Sequence, residues 1–486
     1  MKPPRFHVSL ALLWLSLAAI VQAAAPARPN VLFLLIDDMG YADLSCYGNT
    51  AVKTANIDRL AQEGIRFTQY YVASPICSPS RTAAMTGQFP ARWKMNSFLA
   101  NRQMNERRGI AQWLDPQAPS LARELQRAGY ATGHFGKWHM GGQRDVGDAP
   151  LITEYGYDAT LTQFEGLGDR ILSLNDAFDG QPAKKYSLGS DTLGRGNITW
   201  LDRSKVTAAF ATRALDFIKA AEQSGKPFYV NLWPDDVHSP FFPPKALRGD
   251  GAKRTLYHAV VQAMDDQLGQ LFDYVRASPT LRDNTIIIVA SDNGPEPGAG
   301  SAGVFRGSKG ALYEGGVREP FIVWAPGLMA AAARGTTNET SVLSAVDLLP
   351  SVLKLAGVTA TESVEAVAKS DGEDMSALWL GRAAVKKAAR TKPLFWVRPP
   401  DRPGLPRDRL PDFAMREGEW KFLMRADGSA PQLYDLAQDP GEANNLAARE
   451  SVRVERMRAA VQAWRATLPP VTLLDNEGTV AAKKGQ

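Results

Sequence analysis

The chain has 486 residues, of which 44% are hydrophobic and 22% are charged, a composition that is ordinary for a soluble globular protein. Its net charge of +5 is too small to indicate nucleic-acid binding, although it is compatible with a local basic pocket for an anionic substrate. Its two cysteines, Cys46 and Cys77, are too few for a disulfide-stabilised scaffold.

Residues 1–25 are typical of a secretory signal peptide. Lys2 and Arg5 make the start positive, residues 8–21 are a short apolar run, and residues 23–25 are alanines suited to cleavage. The run is too short to span a bilayer comfortably, and an uncleaved anchor is the alternative. We therefore predict an exported protein, periplasmic or secreted, without stable membrane insertion.

Beyond the leader, short apolar runs alternate with helical patterns, which predicts an α/β fold with a large, mostly parallel central sheet flanked by helices. The clearest strands are apolar on both faces, as buried central strands are, and comprise residues 31–36, 130–135, 228–232, 285–290 and 321–324. Helical periodicity marks residues 120–128, 205–221, 256–275 and 344–356. We assign residues 26–375 to this main domain, within which residues 140–200 predict a long excursion over the surface.

The pattern changes after about residue 375. Short strand-like segments surround Phe395, Met415, Phe422 and Tyr434, and residues 452–467 have the pattern of a last helix. Residues 376–486 therefore predict a small antiparallel sheet with one helix, followed by a tail.

Acidic pairs follow two of the predicted buried strands. Asp37 and Asp38 come directly after residues 31–36, and Asp292 and Asn293 follow residues 285–290. In open α/β sheets, ligands bind at the carboxyl ends of the strands. Three carboxylates and an amide oxygen suit Ca²⁺ or Mg²⁺ better than zinc, and they would repel one another without a cation. Turn residues without a metal are the alternative for either pair alone.

The segment around Cys77 is the most informative stretch of the chain. Pro79 suits the first turn of a helix, which we expect over residues 80–86 with a stop at Gly87. Cys77 then lies at a helix N-terminus, where backbone N–H groups attract anions, and Arg81 shares its side of the turn. A disulfide to Cys46 or a buried thiol are the alternatives to a chemically special cysteine.

The Cys-x-Pro-x-Arg spacing of Cys77, Pro79 and Arg81 resembles the maturation signature of the formylglycine-dependent sulfatases, a branch of the alkaline phosphatase superfamily. The resemblance extends from Asn30 to about Asn445, and it implies an alkaline phosphatase-like fold whose main domain is catalytic. It also implies that a separate formylglycine-generating enzyme oxidises Cys77 to 3-oxoalanine, the aldehyde formylglycine.

Carried over position by position, the resemblance implies two sets of site residues. The ligands of one Ca²⁺ would be Asp37, Asp38, Asp292 and Asn293, with the modified Cys77 facing the metal. The catalytic residues would be Cys77, Arg81, Lys137, His139, His238 and Lys309. None of these positions departs from the family pattern. His134 and His258 are interpreted as structural, and Glu314 with Arg318 as a structural ion pair.

The implied reaction is hydrolysis of a sulfate monoester. One hydroxyl of the hydrated aldehyde attacks sulfur, Lys309 or His238 protonates the leaving alcohol, and His139 deprotonates the second hydroxyl so that sulfate leaves. We expect a sulfated small molecule or glycan as substrate, with a sulfated carbohydrate favoured. The alternatives are a formylglycine-dependent phosphonate or phosphate ester hydrolase, and a non-catalytic binder of sulfated glycans.

A group of basic and aromatic residues shortly after the Cys77 segment offers a candidate entrance for an anionic sugar, with a solvated loop as the alternative. It comprises Trp93, Lys94, Arg102, Arg107, Arg108 and Trp113.

Overall fold

A computed structural model describes residues 28–176, 178, 180–358, 368–382, 390–405 and 408–474. The predicted signal peptide, residues 1–25, lies outside the described residues. Within them, no helix combines the length and apolar character needed to cross a membrane.

The described strands, in chain order, are β1 (Asn30–Ile36), β2 (Ile65–Tyr71), β3 (Ala131–Gly136), β4 (Ala159–Leu161), β5 (Arg170–Asn175), β6 (Lys184–Tyr186), β7 (Ile198–Asp202), β8 (Phe228–Trp233), β9 (Thr285–Ser291), β10 (Arg318–Trp324), β11 (Thr336–Asn338), β12 (Leu343–Ser344), β13 (Leu394–Val397), β14 (Gly404–Leu405), β15 (Asp408–Arg409), β16 (Phe413–Glu417), β17 (Trp420–Met424) and β18 (Gln432–Asp435). The described α-helices are α1 (Ala55–Glu63), α2 (Cys77–Thr86), α3 (Arg102–Arg107), α4 (Leu121–Arg127), α5 (Val206–Gln223), α6 (Lys253–Ala277), α7 (Pro279–Asn284), α8 (Glu314–Val317), α9 (Leu348–Leu355), α10 (Ser376–Trp379) and α11 (Ser451–Ala466).

A large mixed sheet forms the centre of the fold, with the spatial order β11-β2-β10-β9-β1-β8-β3-β4 and β12 also paired with β2. β1 lies between β8 and β9 and runs parallel to both, whereas β10 is antiparallel to β9 and β2. The side chains of β1 alternate between two cores. Val31 and Phe33 belong to one and Leu32 and Leu34 to the other, so both faces are buried. The predicted mostly parallel sheet flanked by helices is thereby confirmed.

The register of the central strands brings their carboxyl ends to one edge. Ile36 pairs with Ser291, so the residues that follow β1 and β9 leave the sheet side by side. Gly136 of β3 pairs with Trp233 of β8 in the same parallel arrangement. The chain segments after β1, β3, β8 and β9 therefore meet at the edge where α/β sheets bind ligands.

The predicted C-terminal sheet is present, with the order β13-β16-β17-β18 and antiparallel pairing throughout. Helix α11 packs on it, and the Trp464 ring stacks on Phe395 with centroids 4.8 Å apart. The sheet is tied to the main domain by Trp396, whose Nε1 donates to the Val72 carbonyl at 2.7 Å. The boundary at residue 375 stays a prediction.

The interpretation of residues 140–200 as a simple surface excursion is wrong in part. Strands β5, β6 and β7 form a second small sheet there, with β5 parallel to β7 and antiparallel to β6. Its strands are short and carry charged residues, such as Lys184 and Lys185, which leaves little apolar periodicity to detect.

Candidate active site

Three carboxylates meet where β1 and β9 end. Oxygen atoms of Asp37, Asp38 and Asp292 lie within 4.8 Å of one another, and all three side chains are buried. Asn293 completes the group, since its Nδ2 donates to Asp38 Oδ1 at 2.8 Å. Its Oδ1 is buried without a hydrogen-bond partner among the described residues. An unpartnered amide oxygen beside three carboxylates fits a hard divalent cation such as Ca²⁺.

Four basic side chains surround these carboxylates. Arg81 Nη2 lies 2.7 Å from Asp292 Oδ2 and 3.2 Å from Asp37 Oδ1. Lys137 Nζ lies 2.7 Å from Asp37 Oδ2, and Lys309 Nζ lies 2.5 Å from Asp38 Oδ2. His238 is more loosely placed and more exposed, with its Nε2 3.7 Å from Asp38 Oδ2. The residues expected at one centre are thus brought together from four separate strand ends and from helix α2.

The pKa values of the carboxylates reflect this crowding. Burial alone would raise the pKa of Asp37, but Lys137 and Arg81 hold it well below its ordinary range. Burial, followed by the negative charge of Asp37, raises the pKa of Asp292 to about 7. The pKa of Asp292 is thus raised although Arg81 lies 2.7 Å away, so the carboxylates repel one another, and a bound cation would relieve this repulsion.

Cys77 is the first residue of α2, three residues earlier than the predicted start. Ile76 before it is extended, and Pro79 occupies the first helical turn, where its missing N–H costs no hydrogen bond. Neither Cys77 nor Cys46 forms a disulfide. Burial raises the pKa of the Cys77 thiol to about 12, so an unmodified side chain is a neutral thiol at pH 7. As a thiol, this residue is a weak nucleophile.

Glu165 is a site residue that the sequence interpretation missed. Its Oε2 lies 3.1 Å from Lys137 Nζ and 3.0 Å from His139 Nδ1. Burial would raise the pKa of Glu165, but these two neighbours lower it to about 2. The carboxylate comes from the glycine-rich stretch that lacks periodicity, so no sequence signal distinguishes it from a surface acid.

His139 has acceptor oxygens at both ring nitrogens. Nε2 lies 3.0 Å from the Leu99 carbonyl, and Nδ1 faces Glu165. Burial lowers the pKa of His139 to about 3, whereas Glu165 acts in the opposite direction. At pH 7 the ring is therefore neutral, and one of its two nitrogens carries no proton while facing an oxygen that would stabilise an added one. His139 is thus placed to take up a proton at the wall of the cavity.

A cavity of about 560 Å³ opens over this centre. Cys77, His139, His238 and Lys309 line it together with residues from the β5–β7 sheet, including Ser173, Asn175 and Tyr186. The predicted entrance is wrong, because none of its six residues lines the described cavity. Arg108 in particular is buried and paired with Asp401 at 2.8 Å.

The other two described histidines, His134 and His258, do not line the cavity. His134 is fully buried among aromatic rings, with Trp233 and Trp138 centroids 4.9 and 5.2 Å away. Burial lowers the pKa of His134 to about 3. His258 lies in helix α6 and does not line the cavity.

Together, the acidic cluster at the strand ends and the buried cysteine at the helix start agree with an α/β ester hydrolase of alkaline phosphatase-like fold. A family model described as Sulfatase matches residues 29–358. The chain belongs to the sulfatase family and is a sulfuric ester hydrolase.

Individual relatives agree with this assignment. Human arylsulfatase A is 30% identical over 482 residues, covering 89% of this chain and 86% of that protein. N-acetylgalactosamine-6-sulfatase of Sus scrofa is 33% identical over 370 residues, covering 73% of this chain and 66% of that protein. A solved structure of Ps i-CgsB in complex with k-i-k-neocarrahexaose has a TM-score of 0.73 at 23% identity, with 93% of this chain and 96% of that chain covered. This last likeness supports the fold.

Proposed function

We propose that this protein hydrolyses sulfate monoesters of carbohydrates with a formylglycine made from Cys77 and one bound Ca²⁺. The observation that carries the proposal is the position of Cys77. It lines the same cavity as His139, Lys309 and His238, and the last two lie beside Asp38 of the candidate metal site. A neutral buried thiol does not explain that position, whereas a hydrated aldehyde supplies one hydroxyl to attack sulfur and a second that allows sulfate to be expelled.

Ca²⁺ would be held by side-chain oxygens of Asp37, Asp38, Asp292 and Asn293. The modified residue 77 would face this cation. The cation would polarise a nonbridging oxygen of the sulfate. Counting Asp37, Asp38, Asp292 and Glu165 as −4 and Arg81, Lys137 and Lys309 as +3 leaves the buried charges at −1. A divalent cation makes this +1, which suits the single negative charge of a sulfate monoester.

The basic residues have separable roles in this proposal. Lys137 and Arg81 are held by ion pairs deep in the site, so they orient the carboxylates and the residue 77 segment. Lys309 and His238 lie nearer the cavity opening, where each can donate a hydrogen bond to the sulfate or a proton to the leaving oxygen. His139, oriented by Glu165, receives the proton released when the product sulfate leaves.

The substrate class is proposed from the relatives and from the cavity. The names of the relatives, arylsulfatase A and N-acetylgalactosamine-6-sulfatase, point to sulfated sugars and aryl sulfates. The cavity fits such a sugar, because Ser173, Asn175 and Tyr186 present polar groups to its interior. We also propose export through the predicted signal peptide, with maturation by a formylglycine-generating enzyme.

The test compares sulfate and phosphate esters of one aryl alcohol on protein made in a host with a maturation enzyme. We expect a higher kcat/KM for the sulfate ester. We also expect loss of activity in Cys77→Ala but not in Cys46→Ala, since Cys46 lies outside the cavity. Faster phosphate turnover would favour a phosphate ester hydrolase. Binding of sulfated sugars without turnover of any ester would favour a non-catalytic binder.

A further inference from the structure

Three arginines line the cavity, and they differ in their partners. Arg203 is neutralised, with Nη1 2.9 Å from Asp235 and 3.4 Å from Asp236. Arg144 and Arg402 form no ion pair with the described residues, and the Nε of each is buried without a hydrogen-bond partner there. The cavity therefore holds two guanidinium groups without a carboxylate partner in an ion pair among the described residues.

Arg402 comes from the segment after β13 and reaches the reaction centre from the C-terminal side. Its aliphatic chain passes over Gly310, where an added Cβ would lie 3.6 Å from Arg402 Cγ and Cδ. Gly310 directly follows Lys309, which is paired with Asp38. The guanidinium lies 5.8 Å from the centroid of the Phe98 ring. Arg402 is thus placed beside Lys309 at the cavity wall.

Arg144 comes from the main domain, in the segment between β3 and β4. Its neighbour Gln143 pairs with Glu165 in an isolated antiparallel bridge, which fixes Arg144 close to the Glu165–His139 pair. The Phe98 ring also lines the cavity, 6.4 Å from the ring of His139. The two arginines without a carboxylate partner therefore both line the cavity, Arg402 beside Lys309 and Arg144 beside Glu165.

Their charges are not needed by the sulfate at the reaction centre. Lys137 and Lys309 already lie there, paired with the metal-site carboxylates. Arg108 lies beneath Phe98 with its guanidinium 4.1 Å from the ring, and its partner is Asp401 at 2.8 Å. Burial lowers the pKa of Arg108, and the positive charges of Arg402 and Arg144 lower it further, whereas Asp401 raises it. Unpaired guanidinium groups crowded in this way are stabilised by a bound anion.

We propose that Arg144 and Arg402 bind a second anionic group of the substrate, either a carboxylate or another sulfate ester, while the scissile sulfate occupies the reaction centre. This inference rests on the proposed sulfatase function. A guanidinium fork matches the paired oxygens of either group and retains its charge when partly buried. The favoured substrate is therefore a sulfated sugar that carries at least one further negative charge.

The experiment compares matched substrates on the mature protein. The first substrate pair is a sulfated N-acetylhexosamine with and without a second sulfate. The second pair is the same sulfated sugar linked to a uronic acid or, through the same linkage, to a neutral hexose. The other substrate is a singly charged aryl sulfate. We expect the wild-type kcat/KM to be at least tenfold higher for a doubly charged sugar than for its singly charged match. A higher kcat/KM for the uronic acid substrate indicates that the arginines bind a carboxylate, and a higher kcat/KM for the disulfated sugar indicates that they bind a sulfate.

The variants Arg144→Gln and Arg402→Gln should each reduce this preference ratio about tenfold. Arg107→Gln is the matched control, because it removes one exposed positive charge that does not line the cavity, and its ratio should equal that of the wild type. Hydrolysis of the aryl sulfate with no preference for doubly charged sugars would overturn this inference and leave the proposed function standing. Absence of hydrolysis of every sulfate ester would overturn both.

Discussion

Arg81 Nη2 donates a hydrogen bond of 2.7 Å to Asp292 Oδ2 and so ties the start of helix α2 to the end of strand β9. The same nitrogen lies 3.2 Å from Asp37 Oδ1, and all three side chains are fully buried. Arg81 therefore pairs with two of the carboxylates that would hold the cation, while its own charge repels that cation. The stability of the site and its affinity for metal are linked through this residue.

Replacement of Arg81 by Met should make the protein depend more strongly on calcium. Removing one partner of a buried ion pair costs about 3–5 kcal/mol, so we expect a lower melting temperature in the presence of a chelator. Added Ca²⁺ should raise the melting temperature of the variant more than that of the wild type, because the repulsion by the guanidinium is gone. Calorimetry with and without Ca²⁺ measures both effects, and a smaller rise in the variant would contradict the argument.

Replacement of Asp292 by Asn should have the opposite effect on calcium dependence. Ligand binding at 100 times Kd stabilises a folded protein by about 2.7 kcal/mol, and the loss of one carboxylate should reduce this gain. We also expect kcat/KM for an aryl sulfate to fall by about 100-fold, which corresponds to about 3 kcal/mol. The control is Asp265→Asn, since Asp265 is a buried acid that instead accepts backbone N–H groups at the start of α1. An equal loss of calcium dependence in the control would refute the metal assignment.

Replacement of Glu165 by Gln tests a positioning role. The amide keeps the size of the side chain but loses the charge that holds Lys137 and His139 at about 3 Å. Misplacement of a catalytic group by about 1 Å can cost about 100-fold in rate, so we expect kcat to fall by that order while KM changes little. Steady-state kinetics separates the two parameters. Glu63→Gln, at the end of α1 and away from the cavity, should change neither. A rise in KM at constant kcat would instead indicate a role in substrate binding.

Lys421 joins the C-terminal sheet to the main domain through a buried charge cluster. Its Nζ lies 2.9 Å from Glu314 Oε1 and 3.2 Å from Glu442 Oε1, and the expected pair of Glu314 and Arg318 is present at 3.4 Å. Lys421→Met leaves two buried carboxylates without their main counter-charge, so the free energy of unfolding should fall by about 3–5 kcal/mol. Denaturant unfolding measures this change against the exposed control Lys53→Met. A change below about 1 kcal/mol, the size expected for a surface pair, would show that the cluster is not structural.

The sequence was most informative where strands are buried on both faces. Residues 31–36 and 285–290 are continuous apolar runs, and they coincide with β1 and β9 within one residue at each end. Strand β2 was missed although its residues alternate in polarity, because charged Arg66 and two polar residues dilute the apolar signal. The β5–β7 sheet was missed because its strands are short, each contains a charged residue, and they depend on pairing with one another.

The predicted metal and catalytic residues meet because parallel register places strand ends side by side, and a sequence pattern can indicate such an edge. Glu165 and Arg402 could not be recognised in this way. Glu165 reaches the site through an isolated bridge to Gln143, and Arg402 arrives from the C-terminal segment by tertiary packing over Gly310. Neither contact leaves a local periodicity, whereas the Cys77 segment carries its signal within the five consecutive residues 77–81.

Mass spectrometry of the peptide that contains residue 77 tests the central claim most directly. The protein should be isolated from the exported fraction of a host with a formylglycine-generating enzyme, and its sulfate ester hydrolysis measured on the same sample. We predict that the side chain has changed from CH₂SH to an aldehyde or its hydrate, and that activity rises in proportion to the converted fraction. Full activity in a sample whose Cys77 is entirely an unmodified thiol would contradict the account.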